Sequence, residues 1–163
     1  MAGSIRVSAE ALAHGVTRIF VAAGIVPDAA AIVAEDLVAA DVEGVASHGV
    51  MLVPMYVDRI RAGSVSRLTS GEVVSDRQTA MVIDAGNALG QLTARQAVDL
   101  AAARAAEFGM ASVAVRNAFH FGAAGRYARM LAERGCVGMV MCNTRPLMPP
   151  TGGAEPVTGN NPL

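Results

Sequence analysis

Apolar residues recur along the first part of the chain at the three- and four-residue spacing of helices. Leu12, Val16, Ile19, Phe20 and Ala23 make one stripe over Ala9–Ala23, with Ser8 placed to cap that helix and Gly24 to stop it. Pro27 opens a second helical run to Glu43, with Ile32, Val33, Leu37 and Ala40 on its inner face and Asp28 in its first turn. Gly44 ends it, and a third run over Leu52–Ala62 closes at Gly63. The pattern predicts a helical layer over residues 1–70.

The period then changes. Thr79–Asp84 is a β-type run ending at Ala85-Gly86, and Leu89–Phe108 is an alanine-rich helix closed by Gly109. Ala111–Val115 is a second strand, Ala123–Arg134 a helix closed by Gly135, and Cys136–Cys142 a third strand. Strands alternating with helices predict an α/β fold with helices packed on a sheet, residues 71–163 forming the first part of that sheet domain. The sheet is expected to be incomplete within this chain, because Pro162-Leu163 looks like the start of another strand. Asn143–Leu163 holds five of the seven prolines and is expected to be an ordered, functional loop.

Composition narrows the classes. The chain has 163 residues, 53% of them hydrophobic, with no tryptophan and a net charge of -1. That charge leaves no electrostatic footprint for nucleic acid. No apolar run approaches the roughly 18–20 residues of a membrane helix, and MAGSIRVSAE lacks a signal-peptide core. The only cysteines, Cys136 and Cys142, lie six positions apart on one predicted strand. They read as buried small hydrophobes on one face rather than a disulfide framework, which fits a reducing cytoplasm. All 13 basic residues are arginine, so this chain supplies no Schiff-base lysine, lysine general base or P-loop lysine.

The candidate chemistry gathers at turns. Val115–Gly125 reads VRNAFHFGAAG, placing His120 between Phe119 and Phe121 where a strand gives way to a helix. Ligands of α/β proteins bind outside the carboxyl ends of strands, and histidine titrates near neutral pH. His48 lies in a second glycine-bearing turn, Ser47-His48-Gly49. Ser47 is adjacent to it and is expected to position a substrate or tune the imidazole, not to act as a nucleophile. Tyr56, eight beyond His48, falls on the helical face that shares this turn; the alternative is a core tyrosine with its hydroxyl at the surface. Asp41 and Glu43 point in different directions on a helix, so a metal site with His48 is not expected. The turn Gly86-Asn87-Ala88-Leu89-Gly90-Gln91 spaces its glycines four apart, which is not the Rossmann dinucleotide fingerprint, and it reads as structural.

Four segments together, SHGVMLVPMYVDRIRAGSV, DAGNALGQ, VRNAFHFGAAGRYA and NTRPLMPPTGGAEPVTGNNPL, resemble the malate/L-lactate dehydrogenase family. Its members are 2-oxoacid oxidoreductases that use NAD or NADP and are unrelated to the Rossmann-type lactate dehydrogenases. The resemblance implies a non-Rossmann nicotinamide-binding sheet, a helical N-terminal domain, and a homodimer acting on a small 2-oxo or 2-hydroxy acid. Family roles then fall on Ser47, His48 and His120 as catalytic residues and on Tyr56 and Asn160 as substrate contacts. The cofactor contacts fall on His120, Phe121, Gly122, Ala124, Gly125, Arg126 and Thr144. Leu52 stands where many relatives carry an arginine that grips the substrate carboxylate, and Asn160 where threonine is common. Family enzymes are roughly twice this length, so the chain resembles the N-terminal half of one. A truncated, non-catalytic chain that depends on a partner is the alternative reading.

Overall fold

A computed structural model describes residues 5–159. They fall into two compact units that meet between Ala123 and Ala124. The first holds α1 (Ala9–Ala22), α2 (Pro27–Val42), two single 3-10 turns (Ala46–His48 and Val50–Leu52), α3 (Val53–Arg61), β1 (Glu72–Arg77), β2 (Ala80–Asp84), α4 (Gly90–Phe108) and β3 (Ser112–Arg116). The second holds α5 (Ala124–Ala132) and the chain after it.

The helical layer forms as its sequence dictates. The Ser8 hydroxyl accepts the Ala11 N–H at 3.1 Å to cap α1, and Pro27 starts α2 where its missing N–H costs nothing. Phe20, Val33, Leu37 and Tyr56, one or two from each helix, are fully buried together. Leu89 and Leu92, at the start of α4, complete the same core. Asp36 of α2 is buried too, and Arg95 of α4 donates to its carboxylate from Nε at 3.2 Å and from a terminal nitrogen. The beginning of α4 is therefore fixed by the helices, and farther along it Arg104 pairs with Asp76.

That sheet is mixed. β1 and β2 form an antiparallel hairpin, and β3 pairs parallel to β2 with Ile83 opposite Val115 and Asp84 opposite Arg116. Helix α4 is the crossover between the two parallel strands. β1 is not foreseen in the sequence: EVVSDR has no alternation, and the ladder carries an irregularity between Val73 and Ser75 that puts Val73 and Val74 both at the surface. Hydrophobic period is a weak guide to a strand whose two faces are both wet.

The second unit corrects one expectation. Cys136–Cys142 has no ladder partner among the described residues and is not a strand. Exposure still alternates along it, with Val137, Met139 and Met141 outward and the residues between them half-buried. A strand is defined by hydrogen bonds to a neighbour, which hydropathy cannot supply. Cys136 and Cys142 are free thiols on one face, as the spacing predicts, but half-buried rather than buried. The proline-rich loop beyond is irregular and closed by a bridge between Met148 and Thr158.

One close approach sets the geometry of the next section. A Cβ on Gly90 would run into the carbonyl oxygens of Phe119 and His120. Gly90→Ala is favourable by helix propensity, by up to about 1 kcal/mol. Here we expect the opposite sign, a loss of about 1–3 kcal/mol, because two backbone oxygens must move. Equilibrium urea unfolding checks it, and a stabilised variant would show that the turn yields freely.

Candidate active site

The parallel strands β2 and β3 end side by side, and their last residues lock the turns that follow. The Asp84 carboxylate accepts hydrogen bonds from Gly86 N at 3.0 Å, from Asn117 Nδ2 at 2.9 and 3.1 Å, and from Arg116 Nε at 2.9 Å. Those donors, the Gly86 N–H foremost and Asn117 next, hold its pKa below the usual carboxylate range. Asn87 N–H donates to the Asn117 carbonyl at 2.8 Å, with φ of +58° at Asn87 and +52° at Asn117. Asparagine tolerates this left-handed backbone better than other side chains. The double turn lays Phe119–Gly122 across the start of α4.

His120 is thereby brought to Tyr56. The Tyr56 hydroxyl lies 2.7 Å from His120 Nδ1, and Gln91 Nε2 donates to the same hydroxyl at 2.9 Å. The Gly122 N–H also points at Nδ1, at 3.3 Å. Tyr56 is fully buried, with Phe119 edge-on to its ring at 5.1 Å. Burial pushes its hydroxyl far above the ordinary phenol range, against a smaller opposing effect of the Gln91 hydrogen bond, so the hydroxyl keeps its proton.

The second turn closes on the first. Asp41, at the end of α2, accepts the Val50 N–H at 2.8 Å, and its carboxylate fills the space that a Cβ on Gly49 would need. This holds the 3-10 turn that carries Ser47 and His48. Their side chains do meet, with Ser47 Oγ 2.9 Å from His48 Nδ1, although neighbours in sequence seldom orient this way. The His48 and His120 rings stack with centroids 5.6 Å apart and planes at 28°. Burial lowers the His120 pKa, and the neighbouring His48 lowers it further.

Ser47, His48, Tyr56, His120 and Gly122 thus converge within the first unit, with Phe121 half-buried in the same turn. Ala124, Gly125 and Arg126 make the first turn of α5 in the second unit. Nothing lies within 4 Å of where a Cβ on Gly125 would stand. Thr144 packs its hydroxyl and carbonyl on Gly159, while Asn160 lies outside the described residues. Leu52 is half-buried and packs on the helical core, where it offers no hydrogen bond. Gln91 is the site residue that sequence reasoning missed. Its only signal is a polar side chain at a core position between Leu89 and Leu92.

Comparison with known proteins settles the family. The family model described as malate/L-lactate dehydrogenase matches residues 7–163. The chain belongs to the malate/L-lactate dehydrogenase family. It is 40% identical to a malate dehydrogenase of Pyrococcus horikoshii over 98% of this chain and 44% of that protein. An L-sulfolactate dehydrogenase of Methanocaldococcus jannaschii is 35% identical over 86% of this chain and 41% of its own length. The solved P. horikoshii malate dehydrogenase superposes with a TM-score of 0.89 at 38% identity, over 97% of this chain and 45% of that one. The chain therefore spans a little under half the length of the family members it matches. Its α/β fold is that of the family, and among the described residues no helix is long and apolar enough to cross a membrane.

The lowered His120 pKa sets the sign of a pH effect. A free imidazole titrates near ~6.5, and below that pH the unfolded chain takes up this proton before the folded one. The folded state then loses ground as pH falls, so His120 opposes stability under acid and is silent above neutrality. Urea midpoints across pH 5–8 should fall on the acid side in the native protein and fall less in His120→Gln. Equal acid dependence in both would remove His120 as the cause.

Proposed function

We propose that the protein is an oxidoreductase that moves a hydride between NAD or NADP and C2 of a small 2-oxo or 2-hydroxy acid. The observation that supports it most is the stacked pair of His48 and His120 at the carboxyl end of a parallel strand, inside a chain of this family. Related proteins bear the names malate dehydrogenase and L-sulfolactate dehydrogenase, which supports a small 2-hydroxy acid as the substrate class. We place the enzyme in the cytoplasm as a homodimer, with no nucleic-acid or membrane partner. Its helical domain would span residues 1–70, and its sheet domain would begin at residue 71.

A nicotinamide cofactor is the reading that family membership supports. Phe121 and Gly122, beside His120 in the first unit, and Arg126 and Thr144 of the second are the contacts that the resemblance assigns to it. Such a cofactor, when bound, supplies the hydride chemistry itself. The protein is left with the proton and the orientation of the acid. In oxidation one imidazole of the pair takes the proton of the substrate hydroxyl, and in reduction it returns that proton to the oxygen at C2. The other imidazole donates a hydrogen bond to the same oxygen and stabilises its developing charge. Tyr56 holds His120 against rotation, Ser47 does the same for His48, and Asn160 would contact the acid. Leu52 cannot grip a carboxylate, so that role passes to another residue, and simple malate or lactate is not expected to be the best substrate.

In the intact protein, His120→Ala should lower kcat by at least ~10² with little change in fold, the scale of lost acid–base help. Steady-state oxidation of a panel of 2-hydroxy acids with each dinucleotide, alongside circular dichroism, measures both. Near-native turnover in the variant would exclude His120 from the chemistry.

A further inference from the structure

Gln91 is fully buried at the start of α4, between Gly90 and Leu92, and its side-chain nitrogen bonds the site through Tyr56. We propose that Gln91 is a positioning residue that, through the Tyr56 hydroxyl, holds neutral His120 in the tautomer with its proton on Nε2. The inference rests on the reading of His120 as a working residue of the site, but not on which acid is the substrate.

The hydrogen-bond inventory leads there by elimination. A backbone N–H can only donate, and the Gly122 N–H is aimed at His120 Nδ1. Nδ1 therefore presents a lone pair. Tyr56 has a single proton, and its hydroxyl is shared between Gln91 Nε2 at 2.9 Å and His120 Nδ1 at 2.7 Å. With Nε2 of Gln91 donating, the Tyr56 proton turns to Nδ1, and the imidazole proton must stand on Nε2, on the far side of the ring. The reverse setting of the amide would aim Oε1 at Tyr56 and draw its proton away. Tyr56 would then accept a proton from Nδ1, in conflict with the fixed Gly122 N–H. The backbone donor thus selects one orientation of Gln91, and Gln91 in turn selects the direction in which Tyr56 donates. In this setting Oε1 of Gln91 is left buried without a partner, and Nε2 makes the bond to Tyr56.

The Gly122 donor also weighs against the charged form. An imidazolium carries a proton on Nδ1 as well as on Nε2, and that proton would face the fixed Gly122 N–H, so the contact that selects the Nε2–H tautomer also favours neutral His120.

The test reads the tautomer directly. In the intact protein labelled with 15N-histidine, long-range 1H–15N correlation at neutral pH should show His120 with Nε2 protonated and Nδ1 bare. Gln91→Glu presents an acceptor to Tyr56 and should move His120 toward the Nδ1–H tautomer or the imidazolium. Gln91→Leu, which suits the apolar surroundings if the glutamate variant does not fold, should give a mixture. A wild-type His120 protonated on Nδ1, or an Nε2–H pattern unchanged in the folded variants, would overturn the proposal. Turnover of a hydroxy acid is scored separately. The tautomer can hold in a protein that oxidises nothing, and then the functional reading fails while this one stands.

Discussion

The hydrogen bond between the Tyr56 hydroxyl and His120 Nδ1 joins parts of the chain 64 residues apart, and the rest of the site is arranged around it. Tyr56 belongs to the helical core through its ring and to the site through its oxygen. Its ring is gripped by Phe20 and Phe119, and its oxygen can reach His120 only because Gly90 lets the Phe119–His120 backbone lie against α4. A buried hydroxyl without a partner costs about 1–3 kcal/mol, so the same bond that orients the imidazole also makes the core tolerate a polar atom. Packing and chemistry here share one oxygen.

Each histidine is reached by a different structural route. His48 depends on a carboxylate, Asp41, that ties a 3-10 turn to the end of α2, and its Nδ1 faces a serine hydroxyl able to donate or accept. His120 depends on strand-end turns locked by Asp84, and its Nδ1 faces a backbone donor that cannot reverse. Stacked imidazoles repel once both are charged, so the pair favours one proton over two. The surroundings of His120, burial first and the neighbouring His48 next, prefer its neutral form. Two identical side chains are made unequal by what touches their Nδ1 atoms.

Much of this is legible in the sequence. The helices follow from apolar spacing and glycine stops to within a residue or two at most ends, because a helix is a local structure with local signals. The two glycine-bearing turns point to His48 and His120 as candidates, since both lie at element ends and histidine titrates near neutral pH. Strands were harder. β1 hides behind an irregular ladder and two wet faces, and Cys136–Cys142 shows the alternation of a strand without the neighbour that would make it one. Pairing is a property of two segments, and hydropathy describes one.

Gln91 marks the deeper boundary of sequence reading. After Gly90 in a turn, it looks like punctuation at a helix start, and its type alone does not distinguish it from a surface glutamine. Its meaning appears only when α3 brings Tyr56 across to it and the strand-end turn brings His120 to Tyr56. The site residues found first are the ones whose chemistry is visible in their type. The residue found last acts through another side chain, and such a role exists only in the contacts. A polar side chain at a position where the core pattern calls for leucine is the trace it leaves, and the buried amide of Gln91, with one end bonded and the other end bare, is what that trace resolves into.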